Sequence, residues 1–420
     1  MTRPLLLATM TVSLIFLLHS GSHAYKLPDT GQTSCYSSSG EDMTCFGTGQ
    51  DGAFTNNTMS FDDNEDGTVT DNNTGLMWQK LDDGVKYNWY QASGQPHSSL
   101  NPFAQKNVCK ELILPADNSY NDWRLPTIGE LVSIVDYFIP NTNPNPAIDT
   151  TFFPGTKTSY SYWASTYSVL GGWNVNYYNG NPNSWFMDTD YYVRCVRGGE
   201  NTQGFTDNGD GTVTNNGTGL MWQQGEAGKM TWSDALSYCV NQTLASRSGW
   251  RLPNIKELQS LCSYYGASPA INTAYFPDAK AEYYWTSTTY RDGFANARHL
   301  SFSSGDAGYQ GKVNSLNVRC VRTESSSSLR DYLVRILRPG GASFDHPDIQ
   351  TAYANAGFSG SVIKAQATDL AEELIFDDDI IVAVKGGYNS EFTLNPLKTN
   401  LTGNLTIKRG SVTIENIVIK

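Results

Sequence analysis

The chain has 420 residues, 29 of them basic and 41 acidic, for a formal net charge of −12 with the histidines neutral. That balance repels nucleic acid and anionic lipid and leaves sugars and proteins as partner classes. Five histidines, two of them in the first 24 residues and the others at His97, His299 and His346, leave a His-rich zinc site or a Ser–His–Asp triad little to work with.

Arg3, the apolar run from Leu5 to Leu18 and the small-residue stretch Ser20 to Ala24 predict a signal peptide cleaved after Ala24. Cleavage removes Arg3 and no acid, which takes the formal charge from −12 to −13. No later apolar run is long enough to span a bilayer, so the expectation is an exported chain in the periplasm, at the cell surface or outside the cell. Export favours disulfides. Residues 25–60 read as irregular polar chain closed by a local Cys35–Cys45 pair.

A paragraph of sequence then occurs twice. Residues 61–79, FDDNEDGTVTDNNTGLMWQ, match residues 205–223, FTDNGDGTVTNNGTGLMWQ, at fifteen of nineteen positions. The match continues in order through Trp123-Arg-Leu-Pro and Trp250-Arg-Leu-Pro, Tyr162-Trp-Ala-Ser-Thr and Tyr284-Trp-Thr-Ser-Thr, and Val193-Arg-Cys-Val-Arg and Val318-Arg-Cys-Val-Arg. Landmarks in one order over more than a hundred residues mean a duplicated domain, placed at 61–200 and 201–323.

Each copy opens with a hairpin, Thr68-Val-Thr and Leu76 to Gln79 in the first and Thr212 to Gln223 in the second. Asp62, Asn64 and Asp66 before Gly67 match the opening of a calcium loop, although the twelfth position is Asn73 and the second copy has Thr206 where the first has Asp62. The competing reading is an acidic hairpin lead-in whose side chains bond to nearby backbone. Calcium is the one cofactor considered.

A first helix is predicted from Thr231 with the stripe Trp232, Ala235, Leu236 and Cys239, matched by a start at Trp89 and an inserted loop from Ser93 to Pro102. A second helix follows each Trp-Arg-Leu-Pro. Thr127 with Glu130, and Asn254 with Glu257, form capping boxes. The stripes are Leu131, Ile134, Val135 and Phe138, and Ile255, Leu258, Leu261, Cys262 and Tyr265. Short strands then lead to Arg197 and Arg322. The matched positions pair Cys109 with Cys195 and Cys239 with Cys320, each joining an early helix to the last strand, and leave Cys262 as a small buried side chain. Arg194, Arg197, Arg319 and Arg322 read as alternate, solvent-facing residues of an end strand, with a local basic patch as the functional alternative.

Residues 324–342 read as a Ser-rich linker. Beyond them, a short helix at Ile349 to Ala356 and strands at Ile380, Leu405 and Val412 with Gly or Asn corners suggest a β-solenoid-like segment at 343–420. Its final strand leaves an open edge, a place for self-association. The expected fold class is α+β: two modules of two helices plus a small antiparallel twisted sheet, then the solenoid-like segment.

The ordered motifs of both copies resemble the C-terminal domain of a collagen-like adhesin of Legionella, a module similar to the C-type lectin-like fold. The Trp-Arg-Leu-Pro phrase is also similar to one in formylglycine-generating enzymes. The resemblance implies the fold and an adhesive role toward polysaccharide. It does not carry over the lectin calcium site, because the Glu-Pro-Asn or Gln-Pro-Asp loop and the Trp-Asn-Asp strand are absent, nor a redox cysteine pair.

The preferred function is therefore an exported recognition or adhesion protein that binds a glycan or extracellular protein without catalysis. A structural envelope or stalk protein is the alternative, and a carbohydrate-active or formylglycine-generating-type enzyme ranks below both. No pair of acids recurs in both copies as a cleft. The aromatic strands of the first copy suggest the ligand site. Trp163 and Trp285 recur and read as core, whereas Trp173 and Trp185 do not recur and flank Gly- and Asn-rich turns. Trp173, Asn174, Asn176 and Trp185, with Asn183 and Asp188 as a polar rim, are the expected shallow sugar site, both tryptophans being exposed.

Overall fold

A computed structural model describes residues 26–420 except 46, 55–56, 97–105, 117–119, 140–145, 170, 200–203, 324–333, 340–342, 347, 355, 357–358, 390–391 and 393–394. The expected signal peptide, His97 and most of the inserted loop lie outside the described residues.

Each copy is built on the same local rules. The hairpin strands Thr68–Asp71 and Met77–Gln79 pair antiparallel, with Phe61–Asp63 on one side and the closing strand Val196–Arg197 on the other. The second copy repeats this with Phe205–Asp207, Thr212–Asn215, Leu220–Gln223 and Val321–Thr323. The first and last strands of each copy are thus the two edges of one four-stranded sheet, so the start and end of each copy are held together by the hairpin between them.

Helix α1, Trp89–Ser93, starts at an Asn88 capping box and stops at Gly94 in the left-handed region, φ 71°. Helix α2, Ile128–Ser133, starts at Thr127, whose side chain accepts from Glu130 N while Glu130 accepts from Thr127 N. Helix α3, Trp232–Asn241, buries the expected stripe Trp232, Ala235, Leu236 and Cys239. Helix α4, Ile255–Gln259, carries the second capping box on Asn254 and Glu257. Both α2 and α4 are one short piece rather than the longer helices expected. Consequently Tyr265, expected in the apolar stripe, falls beyond the helix and is exposed.

The three disulfides are Cys35–Cys45, Cys109–Cys195 and Cys239–Cys320, and Cys262 is free and buried. Cys239 lies on α3, whereas Cys109 lies in a turn rather than a helix. Burial pushes the Cys262 thiol up, which removes it as a nucleophile at neutral pH.

The Trp-Arg-Leu-Pro arginines are structural. Arg124 makes a two-pronged pair with Glu130 at 2.7 and 2.6 Å, and Arg251 does the same with Glu257 at 2.6 and 2.5 Å. The capping glutamate therefore fixes both the helix start and the Trp-Arg-Leu-Pro segment before it, whose arginine bridges to the closing strand.

The cysteine-flanking arginines correct the sequence expectation. Arg194 and Arg319 are fully buried, not solvent-facing. Arg194 donates to Gln79 O and Lys80 O at 2.7 and 2.6 Å, and Arg319 to Gln223 O at 2.7 Å. Each guanidinium satisfies carbonyls where the second hairpin strand ends, a need that an alternating strand pattern does not reveal. Arg197 is paired with Asp122 at 2.6 Å. No basic patch forms from this set.

The two copies do not stand apart. Their cores merge into one cluster through Leu131, Val135 and Tyr137 of the first and Leu258, Leu261 and Tyr264 of the second. The described residues of 26–54 run across the junction as a strap, bonded to Tyr137 of the first copy and to Lys256 and Thr289 of the second.

Beyond residue 334 the chain becomes mostly parallel sheet. Ser361–Gln366, Ile381–Tyr388 and Ser411–Glu415 stack in parallel, as do Asp369–Ala371, Thr399–Thr402 and Ile417–Ile419, and Leu374–Phe376 with Leu405–Ile407. Ile363, Leu370, Phe376, Val384 and Leu401 point into a common core, which helix α5, Ile349–Ala354, covers with Ile349, Ala352 and Tyr353. The strand Val334–Leu337 corrects the expected linker. It pairs with Ser343–His346 and Ser361–Gln366, because Val334 and Ile336 alternate into the core.

Candidate functional site

In the first copy, Tyr162–Ser168, Gly171–Asn176 and Asn181–Trp185 form a three-stranded antiparallel sheet. Its register places Asn174 opposite Asn183 and Trp173 opposite Ser184. A cleft of about 550 Å³ opens along this sheet, and Trp173, Asn174, Asn176, Asn183 and Trp185 all line it. Five of the six expected residues are thus brought together. Asp188 is exposed outside the cleft, close enough to Tyr90 for its charge to be felt there.

The two tryptophans have different fates. Trp185 is 51% exposed, with its ring 6.0 Å from that of Phe186. Trp173 is 2% exposed, and here the sequence expectation is corrected. Its Nε1–H donates to Tyr264 O at 2.8 Å and its ring meets the Tyr264 ring edge-on at 4.8 Å. Trp173 is an anchor between the two copies that shows only its rim to the cleft.

The opposite wall comes from the second copy: Tyr264, Gly266, Ala267, Ser303, Ser304 and Asp306. Sequence reading missed these residues, and no local signal marks them, since their role follows from how two domains pack. Polar groups with unmet capacity are present. Asn174 is buried with no partner for Nδ2 among the described residues, and Ser184 Oγ is likewise without one. Ser303 Oγ lies 2.6 Å from Ser301 Oγ.

The proposed calcium ligands are engaged differently. Asn64 Nδ2 donates to Thr68 Oγ1 at 2.9 Å and Thr70 Oγ1 at 3.0 Å. Asp66 Oδ1 accepts from Thr68 N at 3.0 Å and Thr68 Oγ1 at 2.6 Å. Asp62 lies opposite Thr70 in the strand pair. Asn208 and Asp210 repeat the same bonds in the second copy, at 2.9 Å and 2.5 Å to Thr212 Oγ1. Among the described residues no group of three or more His, Cys, Asp or Glu side chains converges as a metal cluster. The arrangement is that of a hydrogen-bonded hairpin lead-in.

The sequence matches the family profile of the Lcl C-terminal domain twice, over residues 67–197 and 211–322. The chain belongs to that family. Lcl C-terminal domains are non-catalytic adhesin modules, and this chain carries two of them in tandem followed by a further C-terminal segment. No curated protein matches the chain. No helix among the described residues is long and apolar enough to cross a membrane.

Proposed function

We propose that the protein is an exported adhesin that binds a glycan in the 550 Å³ cleft between the sheet of the first Lcl C-terminal domain and the second domain. The observation that carries this reading is the pairing of a half-exposed indole, Trp185, with buried polar atoms that have no partner, Asn174 Nδ2 and Ser184 Oγ. A sugar ring offers an apolar face to the first and hydroxyls to the second. Asn183 and Asn176 supply further amide groups, and Asp306 an acceptor from the far wall. First and last strands that share one small antiparallel sheet in each copy, with two helices beside it, support a C-type lectin-like arrangement. Within this reading the domain limits are 61–200 and 201–323, with a solenoid-like segment after the Ser-rich stretch and a leader removed after Ala24. The terminal strands Ser411–Glu415 and Ile417–Ile419 lie at sheet edges and are the proposed route to self-association.

The test is a glycan array probed with the mature chain, followed by titration of any hit. Trp185→Ala and Asn183→Ala should each weaken binding on the order of tenfold without lowering the melting temperature. Binding that ignores both substitutions removes the cleft from the proposal.

A further inference from the structure

The two copies face each other across an approximate two-fold axis, so features at their junction come in pairs. Strand register makes Trp173 the counterpart of Arg298, since Trp163 faces Asn174 and Trp285 faces His299. Trp173 packs on Tyr264 of the second copy. Reciprocally, the Arg298 guanidinium lies 4.4 Å from the ring of Tyr137, the counterpart of Tyr264.

Two grooves flank this axis. One, between the start of α4 and the end of α2, is filled by the strap. Lys256 Nζ donates to Asp29 O at 2.7 Å and Ser133 O at 2.9 Å. Tyr137 N donates to Thr30 O at 2.8 Å, and Thr289 N to Gln32 Oε1 at 2.8 Å. The Thr288 hydroxyl accepts from Ile255 N and donates to Asp51 Oδ2 at 2.6 Å. Phe54 covers Arg251 from outside, ring to guanidinium 5.2 Å.

The mate groove lies between the start of α2 and the end of α4. It is a cleft of about 260 Å³ whose walls include Ile128, Gly129, Thr166, Gln259, Ser260 and Tyr264. The donors that hold the strap have counterparts here that lack acceptors among the described residues. The Thr166 hydroxyl accepts from Ile128 N at 3.0 Å, as Thr288 does from Ile255, but has no acceptor in place of Asp51. Tyr264 N–H, the match of Tyr137 N–H, bonds to no carbonyl. Gln259, 4% exposed, has an unpartnered Nε2. At the place of Lys256 stands Gly129, where an added Cβ would meet nothing within 4 Å.

We propose that this open groove is a docking site for an extended segment of a partner protein that carries an aspartate, held as Asp29–Gln32 and Asp51 are held in the strap-filled groove. Three buried donors without acceptors call for a ligand made of carbonyl and carboxylate oxygens, which an extended acidic peptide supplies. A second copy of this chain is the poorer occupant. Its own strap is tied down by Cys35–Cys45 and by Lys312, whose Nζ donates to Tyr36 O at 3.1 Å and Ser37 O at 3.2 Å.

The probe is a fluorescent synthetic peptide of residues 26–54, closed by its Cys35–Cys45 disulfide, titrated into the mature chain. Saturable one-to-one binding is expected. Thr166→Val in the protein, or Asp51→Ala in the probe, should weaken it about tenfold or more, while Thr288→Val in the protein leaves it unchanged. Thr166→Val also costs α2 an acceptor, so Ser260→Glu on the opposite wall provides a second variant that repels the acidic probe and should give the same loss. Absence of binding at millimolar probe overturns the proposal. So does loss on Thr288→Val alone, which means exchange with the strap, or a dimer in sedimentation that Ser260→Glu dissolves, which means a second copy.

Discussion

The two Lcl C-terminal domains repeat one framework, yet the same ion pair sits in two environments. Arg251 is 1% exposed beneath the strap, whereas Arg124 in the first domain has 21% of its side chain in solvent. The difference lies outside the duplicated sequence. Residues 26–54 precede both copies, but of the two ion pairs they cover only that of the second, where Asp51 sits among Thr30, Thr288 and the Arg251–Glu257 pair. A repeat thus specifies its own folding fully and its surroundings not at all, and what each copy is free to bind follows from the surroundings.

The most direct way to break the comparison is to remove each arginine. Arg251→Ala leaves Glu257 charged and buried with no cation, a change that costs roughly 3–5 kcal/mol. Arg124→Ala leaves Glu130 with water near its partner's place and should cost about half as much. Equal losses in chemical denaturation would show that the strap does not distinguish the two pairs. Next in size is the junction anchor. Trp173→Ala removes a buried indole and its bond to Tyr264 O, for roughly 3–5 kcal/mol. Trp185→Ala should stay within about 0.5 kcal/mol, as surface changes do. Matching losses for both would return Trp185 to the core.

Much of the framework was legible because its causes are local. Glu130 and Glu257 three residues after a capping side chain announce their helices, and cysteines at matched places announce their staples. Trp173 was misread because a tryptophan beside Gly171-Gly172 looks the same in sequence whether it faces water or a neighbouring domain. Arg194 and Arg319 were misread because alternation in a strand says which residues share a face, not whether a loop's carbonyls lie across from it. Nothing in the sequence marks the pairing of Ser184 with the wall at Ser303, Ser304 and Asp306, since that cleft exists only once two domains pack.

A smaller effect tests the strap through pH. Burial, then the charge of Asp29, raises the Asp51 carboxyl to about 7. A folded-state value above the unfolded one means that the folded chain holds the proton more tightly. The contribution of Asp51 to stability is therefore full below about pH 4, and it is lost as pH rises through 7. Lys256, lowered by burial to about 8, stays charged in both states over that window and adds little slope. Asp51→Asn has no proton to lose, so its melting temperature should gain on the wild type steadily from pH 4 to pH 7. A constant difference across that range would mean that Asp51 reaches water and that the strap is not sealed.

The smallest expected effect concerns the two hairpin lead-ins, where the copies agree. Asn64 and Asn208 each bridge two threonine hydroxyls, and Asp66 and Asp210 each accept from a threonine hydroxyl and its own backbone N–H. A calcium ion needs six to eight oxygens on one centre. Here Asp210 is further held by Arg247 at 2.8 Å, and Asp63 by Lys80, which draws carboxylates away from a shared point. Millimolar calcium should therefore leave the melting temperature within measurement error and give no heat in calorimetry. Replacing Asp66 by Ala should remove the bonds that close the turn, at about 1 kcal/mol, with or without calcium. Stabilisation by calcium that Asp66→Ala abolishes, while Asp210→Ala does not, would restore the ion-binding reading for the first copy alone and make the lead-ins another place where the copies diverge.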